Sequence, residues 1–196
     1  MDAREKPDHT SGGTDMSRTS SRSAWLLLVL VLAATLLVMS VVPGVAPAKR
    51  PAKTPSLVDV AIAVNTSGPY AGSFDTLIAA VLAADPAVLR TLTSKGQYTV
   101  FAPTDDAFAA IDLNPDNVGM VPRADLTNIL LYHVARGRRY AADVLASDRI
   151  RMLNRGFVFQ SGGVLTDAQG RTSNIIVTDV PATNGVIHAI DGVLLP

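Results

Sequence analysis

A segment that joins a strand signal to a helix signal constrains the fold more than any other part of the chain. Residues 98–111 read YTVFAPTDDAFAAI, and the opening aromatic and β-branched residues suit a buried strand. Pro103 has no backbone N–H, so we expect the strand to end at Ala102. Thr104 then suits the N-cap of a helix whose first turn carries two aspartates. The pattern predicts that a strand and a capped helix enter the same core.

Helical patterns precede and follow this segment. A shorter apolar stripe begins at Leu57, and Asp85 followed by Pro86 predicts the start of a further helix. Pro122 begins another helical stripe downstream. The clearest amphipathic helix follows Ser73 as its N-cap, with apolar residues at helical spacing at Phe74, Leu77, Ile78, Val81 and Leu82.

Short strands follow from Ile150 onward. The apolar runs IRML, FVFQ, VLT, NIIVTDV, VIHAI and VLL are mostly separated by turn signals such as Asn184-Gly185 and Asp191-Gly192. Helices first and strands afterwards indicate an α+β domain rather than a regular alternation of helices with parallel strands. We expect this domain to occupy residues 57–196.

The part of the chain before this domain has a different character. Residues 1–23 are polar without apolar periodicity, which predicts a disordered tail. Residues 24–42 are uncharged and continuously apolar, so as a helix they are just long enough to span a bilayer core of about 30 Å. This run is either a transmembrane anchor or the core of a signal peptide, since Ala46-Pro47-Ala48 suits a signal peptidase. Residues 43–56, rich in proline, alanine and lysine, are expected to form a linker.

Charge and cysteine content exclude several function classes. The 17 Lys+Arg residues balance 17 Asp+Glu residues, which gives no general attraction for nucleic acid. The chain has no cysteine, so disulfides, thiolate catalysis and cysteine-ligated zinc or iron–sulfur sites are excluded. Phosphate loops and dinucleotide fingerprints are absent, and we predict no cofactor. A metal site at His133 and His188 would need a further ligand at suitable spacing, which the sequence does not provide.

Three segments together resemble the fasciclin-like domain family. They are YTVFAPTDDAFAAI at residues 98–111, ILLYHV at residues 129–134 and NGVIHAIDGVLLP at residues 184–196, in the family's order. The resemblance implies a wedge of two small β-sheets with several packed helices. It also implies a non-catalytic binding or cell-adhesion module that works outside the cytoplasm, presented at the cell surface or secreted. Its expected partner is a surface, matrix or envelope protein or polymer, and also the membrane if residues 24–42 are retained.

The resemblance also implies a binding site made of two residue pairs. In animal members, adhesion to integrins is attributed to a Tyr-His pair, which corresponds here to Tyr132 and His133. It is also attributed to an Asp-Ile pair shortly before the closing segment. This chain has Asp179 and Val180 there, with valine in place of isoleucine and Pro181 next to it.

His188 is expected to be structural, like the predicted cap Thr104. It lies in VIHAI among apolar neighbours, which is typical of a strand covered on both faces. A buried polar group must be hydrogen-bonded, so we expect His188 to be neutral and to donate to a backbone carbonyl.

The sequence is also compatible with two other functions. A structure with His133 or His188 exposed near Asp105 or Asp191 would favour an extracytoplasmic hydrolase. An apolar pocket of roughly several hundred Å³ would point to a membrane-tethered ligand sensor. A cluster of arginines indicates either a solvated face or a patch for an anionic polymer or acidic partner; its members are Arg136, Arg138, Arg139, Arg149, Arg151 and Arg155.

Overall fold

The computed structural model of the protein describes residues 55–196. The predicted tail, the apolar run and all but the end of the predicted linker lie outside the described residues. Pro55 and Ser56, at the end of that linker, are already bonded to the domain. The Pro55 carbonyl accepts from the Thr183 backbone N–H at 3.0 Å, and Ser56 caps the first helix through the Asp59 N–H.

Most of the helices lie in the first half of the described chain. They are α1 (Leu57–Thr66), α2 (Asp75–Ala83), α3 (Pro86–Thr93), α4 (Asp105–Ala109), α5 (Arg123–Tyr132) and α6 (Ala141–Leu145), with a 3₁₀ turn at Val118–Met120. Within residues 55–196 no single helix combines the length and apolarity needed to cross a membrane; the bent pair α2 and α3 does so only when taken together, by length and composition.

The strands lie mainly in the second half, which confirms the α+β class. They are β1 (Tyr98–Pro103), β2 (Val134–Arg136), β3 (Arg149–Arg151), β4 (Phe157–Ser161), β5 (Val164–Thr166), β6 (Thr172–Ala182) and β7 (Gly185–Ile190). The run VLL at residues 193–195 forms no strand, because its backbone bonds to side chains instead.

The strands form one continuous sheet in the order β2-β1-β7-β6-β5-β4-β3. β1 and β7 are parallel, and the remaining neighbours are antiparallel. The two edges of the sheet meet, because Leu153 N–H donates to the Val134 carbonyl at 2.8 Å beside a bridge between Ala135 and Met152. The sheet therefore curls until its edges touch.

The two expected small sheets are joined into one, because β6 belongs to both halves of the sheet. Residues 172–174 of β6 pair with β5, whereas the part from Ile175 onward pairs with β7. Register shifts between Ile175 and Val177, and again between Val177 and Val180, interrupt the pairing with β7. Such irregularities bend a strand and increase its twist, which lets one strand serve both halves.

Two hydrophobic clusters lie on opposite sides of β1. Its side chains alternate, so Phe101 points into the cluster inside the curled sheet and Ala102 into the cluster beneath the helices. The inner cluster consists of Phe101, Tyr132, Ala135, Val144, Ile150, Met152, Val158, Leu165, Ile190 and Leu194. The outer one draws on α1 to α5, β1 and β7.

Two local predictions at strand and helix ends are wrong. β1 extends through Pro103, since proline lacks only the N–H and its extended backbone still suits the last position of a strand. Helix α2 begins at Asp75, and Ser73 does not cap it. Its first amides donate instead to the Asp105 carboxylate, from Asp75 at 3.1 Å and from Thr76 at 2.8 Å. An aspartate at the start of α4 thus caps α2.

Asn184 joins three parts of the outer cluster. Its side-chain oxygen accepts from the Leu57 backbone N–H at 2.8 Å, where α1 begins. Its amide donates to the Leu92 carbonyl at 2.7 Å and the Ser94 carbonyl at 2.9 Å, where α3 ends. The side chain is buried, so water cannot replace these bonds if they are lost.

We expect Asn184→Ala to lower the free energy of unfolding by about 2–3 kcal/mol, because it leaves a buried N–H and two carbonyls without partners. Urea unfolding monitored by circular dichroism measures the loss. Asn128→Ala is the matched control, since Asn128 is exposed and bonds only to the Asn154 side chain. A loss no larger than that of the control would contradict the role assigned to Asn184.

Candidate functional site

The first predicted binding residue, Tyr132, is fully buried at the end of α5. Its hydroxyl donates to the Phe157 carbonyl at 2.6 Å and accepts from the Ala168 N–H at 3.0 Å. Burial raises the pKa of Tyr132. The phenol therefore fastens α5 to β4 and to the turn after β5, and it presents no polar atom to solvent.

His133 follows at the C-cap of α5 and is 2% exposed. Its Nδ1 lies 2.9 Å from the Ile129 carbonyl, and its Nε2 accepts from the Leu194 N–H at 3.0 Å. Because Nε2 accepts, the proton of the neutral ring sits on Nδ1 and is donated to Ile129. Burial lowers the pKa of His133 to about 4. The ring thus remains neutral at physiological pH and ties the closing segment to α5.

His188 lies in the middle of β7 and has no exposed surface. Its Nδ1 accepts from the Asp179 N–H at 3.2 Å, so Nε2 carries the proton and donates to the Arg139 carbonyl at 2.9 Å. The ring also stacks on Phe101 at a centroid distance of 5.6 Å. Both nitrogens are bonded to backbone, as expected for a core histidine.

The second predicted binding pair lies on β6. Asp179 is exposed and adopts a φ of +61°, a conformation that is uncommon outside glycine. Its carboxylate accepts from the Ala141 N–H at 2.7 Å, at the first residue of α6. Val180 is partly buried and pairs with Ile187 in β7. Of the four predicted binding residues, Asp179 is thus the one that offers a polar side chain at the surface.

Neither histidine of the described residues hydrogen-bonds to a carboxylate side chain, and neither is exposed, whereas a hydrolase of the expected kind would pair an exposed histidine with a carboxylate. The Asp105 carboxylate caps α2. The Asp191 carboxylate accepts from Asn174 and Ser173; burial alone would raise the pKa of Asp191, but these donors lower it. Residues 55–196 also contain no group of three or more histidine or acidic side chains that could hold a metal ion.

Asp167 is a structural centre that the sequence patterns did not reveal. It is buried, and its carboxylate accepts from Arg171, from the Gln169 N–H and from the Leu195 N–H. Burial by itself would raise the pKa of Asp167, but these donors together lower it. The local signal is an aspartate four residues before an arginine around Gly170, yet its bond to Leu195 is long-range.

The predicted arginine cluster is divided by the fold. Arg138 donates to the Ala182 and Thr183 carbonyls and is therefore engaged within the domain. Arg149 and Arg151 are instead exposed on β3. They flank the buried Ile150, so their side chains point away from the inner cluster.

Two apolar cavities adjoin α1. One, of about 140 Å³, is lined mainly by apolar side chains of α1, α2 and α3, and the other, of about 230 Å³, lies between α1, the loop that follows it and the sheet. His133 lines the first cavity, but both of its nitrogens are bonded to backbone. The two cavities share walls formed by Ala61, Leu77, Ala102 and Ile187.

The buried neutral His133 predicts a loss of stability in mild acid. Its folded pKa of about 4 lies below the unfolded value of about 6.5, so the unfolded chain binds the proton more readily. The contribution is complete above pH 6.5 and is lost progressively as the pH falls towards 4. We expect the free energy of unfolding of the wild type to fall by about 2 kcal/mol between pH 7.5 and pH 5 from this cause. In urea unfolding at both pH values, His133→Gln should be less stable throughout but lose less on acidification; equal losses would contradict the assignment.

Comparison with known proteins shows which family and which relatives the chain resembles. Residues 72–196 match the family model of the Fasciclin domain. Protein sll1483 of Synechocystis is 38% identical over 128 residues, which cover 63% of this chain and 68% of that protein. The transforming growth factor-beta-induced protein ig-h3 of Sus scrofa is 34% identical over 123 residues, 63% of this chain but 18% of ig-h3. A solved FAS1 domain pair from the insect cell adhesion molecule Fasciclin I has a TM-score of 0.49 and 26% identity, covering 59% of this chain and 42% of that one.

The matched region contains the structural features described above. It includes β1 with the Thr104 cap, the Tyr132–His133 pair and the closing segment held by His133 and Asp167. Because this match extends over well more than half of the chain, the protein belongs to the fasciclin domain family.

Proposed function

We propose that the protein is a non-catalytic binding module with an adhesive role outside the cytoplasm, either anchored at the cell surface or secreted. One observation carries the non-catalytic part of this proposal. Both histidines of the described domain are buried, and each bonds through both nitrogens to backbone groups. A histidine held in this way is not available as a general base or as a metal ligand.

The binding part follows from what the fold leaves at its surface. The family resemblance associates Tyr132 and His133 with adhesion. In this structure their side chains hydrogen-bond to the backbone of other elements and hold those elements together. We propose that they contribute to binding by holding the neighbouring surface in place, with Asp179 as the residue of the set that can contact a partner. The partner is a surface, matrix or envelope protein or polymer, recognised by loops and exposed faces on a rigid frame.

The most direct test of the proposed location is whether the domain is exported. The uncharged apolar run at residues 24–42 precedes the domain and supports targeting out of the cytoplasm. We expect a reporter fused after Pro196 to be active outside the cytoplasm. Leu30→Arg combined with Leu36→Arg should abolish export, because each arginine at the centre of such a helix costs about 2.5–3.5 kcal/mol. Leu30→Ile combined with Leu36→Ile is the matched control. Reporter activity of the unmodified fusion in the cytoplasm would contradict the proposed location.

A membrane-tethered ligand sensor is a second candidate, favoured by the apolar cavities beside α1. The cavities of about 140 and 230 Å³ are comparable to an engineered apolar cavity of about 150 Å³ that binds benzene. Each is smaller than the roughly 300 Å³ at which drug-sized ligand pockets begin. The cavities therefore suit a small apolar group.

We expect benzene, used as the probe, to bind at the cavities and to raise the melting temperature of the full chain, purified in nonionic detergent, in a concentration-dependent way. Ala61→Leu fills the wall shared by both cavities and should weaken probe binding about tenfold, since the added methylenes take the ligand's space. Ala63→Leu, on the exposed side of the same helix, is the control. Melting temperatures show whether each variant is folded. Equal probe binding by the two variants would count against the sensor.

A further inference from the structure

We propose that the outward face of β3 and β4 is a binding site for an acidic polysaccharide. The site consists of Arg149, Arg151, Phe157 and Phe159, referred to below as the Arg–Phe face. This inference rests on the proposed binding role and assigns it a location and a class of partner. Four observations carry it: strand register, exposure, ring geometry and charge.

The strand register brings the four side chains together. In the antiparallel pair of β3 and β4, Arg149 lies opposite Phe159 and Arg151 opposite Phe157. Directly opposed residues point to the same side of a sheet, and so do residues two apart on one strand. The intervening Ile150 points the other way, into the inner cluster. The Arg–Phe face therefore has two cations in a row on β3 beside two aromatic rings in a row on β4.

Exposure distinguishes this face from an ordinary polar surface. Phe157 is 38% exposed and Phe159 is 52% exposed, whereas Val158 between them is fully buried. Neighbouring exposed aromatic side chains are unusual on a domain that has its own filled core. Burying part of the two rings against a partner would release water and favour binding.

Ring geometry gives the two phenylalanines different roles. The Arg149 guanidinium carbon lies 5.0 Å from the centroid of the Phe157 ring, which is within cation–π range. Phe157 thereby holds Arg149 in place, and Phe159 offers the more open ring. Because the Arg149 charge lies over the Phe157 ring, burying that ring in a bilayer would also bury the charge, which is costly.

The charge of the face is not neutralised within the described domain. Among residues 55–196 neither Arg149 nor Arg151 forms an ion pair with a carboxylate. The outward positions of β5 and β6 that continue this face carry uncharged Thr166, Thr172 and Asn174. Arg136 adds a further exposed cation, because the bridge between Ala135 and Met152 brings β2 alongside β3. The Arg–Phe face is therefore positively charged and suits an anionic partner.

The ligand must combine negative charge with flat apolar faces. Guanidinium groups bind carboxylate or sulfate through paired hydrogen bonds. An open aromatic ring packs against the C–H face of a pyranose ring as a hydrophobic contact. A polysaccharide built from uronic acids presents both features in every residue, and its length lets several units cover the face at once. An acidic peptide supplies the charge without a regular series of flat faces.

The test uses the full chain in nonionic detergent and measures binding to immobilised polygalacturonate by biolayer interferometry. The comparison ligands are neutral dextran, polyglutamate and phosphatidylglycerol in mixed micelles with the same detergent. We expect polygalacturonate to bind at least about tenfold more tightly than dextran or polyglutamate, and the affinity to fall with salt. Arg149→Gln combined with Arg151→Gln should weaken this binding about tenfold or more. Phe159→Ala should weaken it several-fold while leaving the salt dependence unchanged.

The matched control is Arg90→Gln combined with Arg123→Gln, which removes the same charge from exposed positions on α3 and α5. It should leave binding within about twofold, since those helices pack on the outer cluster. Equal losses in the two double variants would overturn the assignment of the site while leaving a binding module in place. Stronger binding to polyglutamate or to phosphatidylglycerol micelles than to polygalacturonate would contradict an acidic polysaccharide as the partner. Failure to bind polygalacturonate in any form would also overturn it, independently of the export result.

Discussion

The structure depends on a few buried polar side chains that bond to the backbone of a distant element. Strands end and helices begin inside this domain, where their free amides and carbonyls cannot reach water, and an unpaired group there is costly. His133 and Asp167 accept the amides of the closing segment, Asn184 connects the start of α1 to the end of α3, and His188 connects β6 to the chain before α6. These bonds decide how the elements meet.

Sequence patterns predicted the contacts whose two partners are close along the chain. Thr104 accepts from the Ala107 N–H at 3.4 Å and Asp85 from the Ala87 N–H at 2.7 Å, and both caps follow from the residue type and its position before a helix. The cap of α2 by Asp105 spans about thirty residues, and Asn184 reaches Leu57 across 127. Such partners are set by the tertiary fold, so propensity and periodicity carry no signal for them.

The difference between local and long-range contacts also decides how well the burial of the candidate binding residues can be predicted. Periodicity indicates that His188 is surrounded by apolar residues, and the structure places it in the covered centre of the sheet. For Tyr132 and His133 the local pattern is less informative, because they end a helix whose exposure depends on what packs beyond it. Here β4 and the closing segment cover them. Their polar atoms are engaged in holding the domain together, whatever surface they support.

The way the sheet closes also limits how a partner can be recognised. A free sheet edge can accept an added strand from another chain, since its amides and carbonyls are unpaired. In this domain the edge strands β2 and β3 come together through the bond between Leu153 and Val134 and the bridge between Ala135 and Met152. Partners that add a strand are disfavoured there. Recognition must instead use side chains on an outward face or in the loops, and such sites can vary without disturbing the buried bonds on which the fold depends.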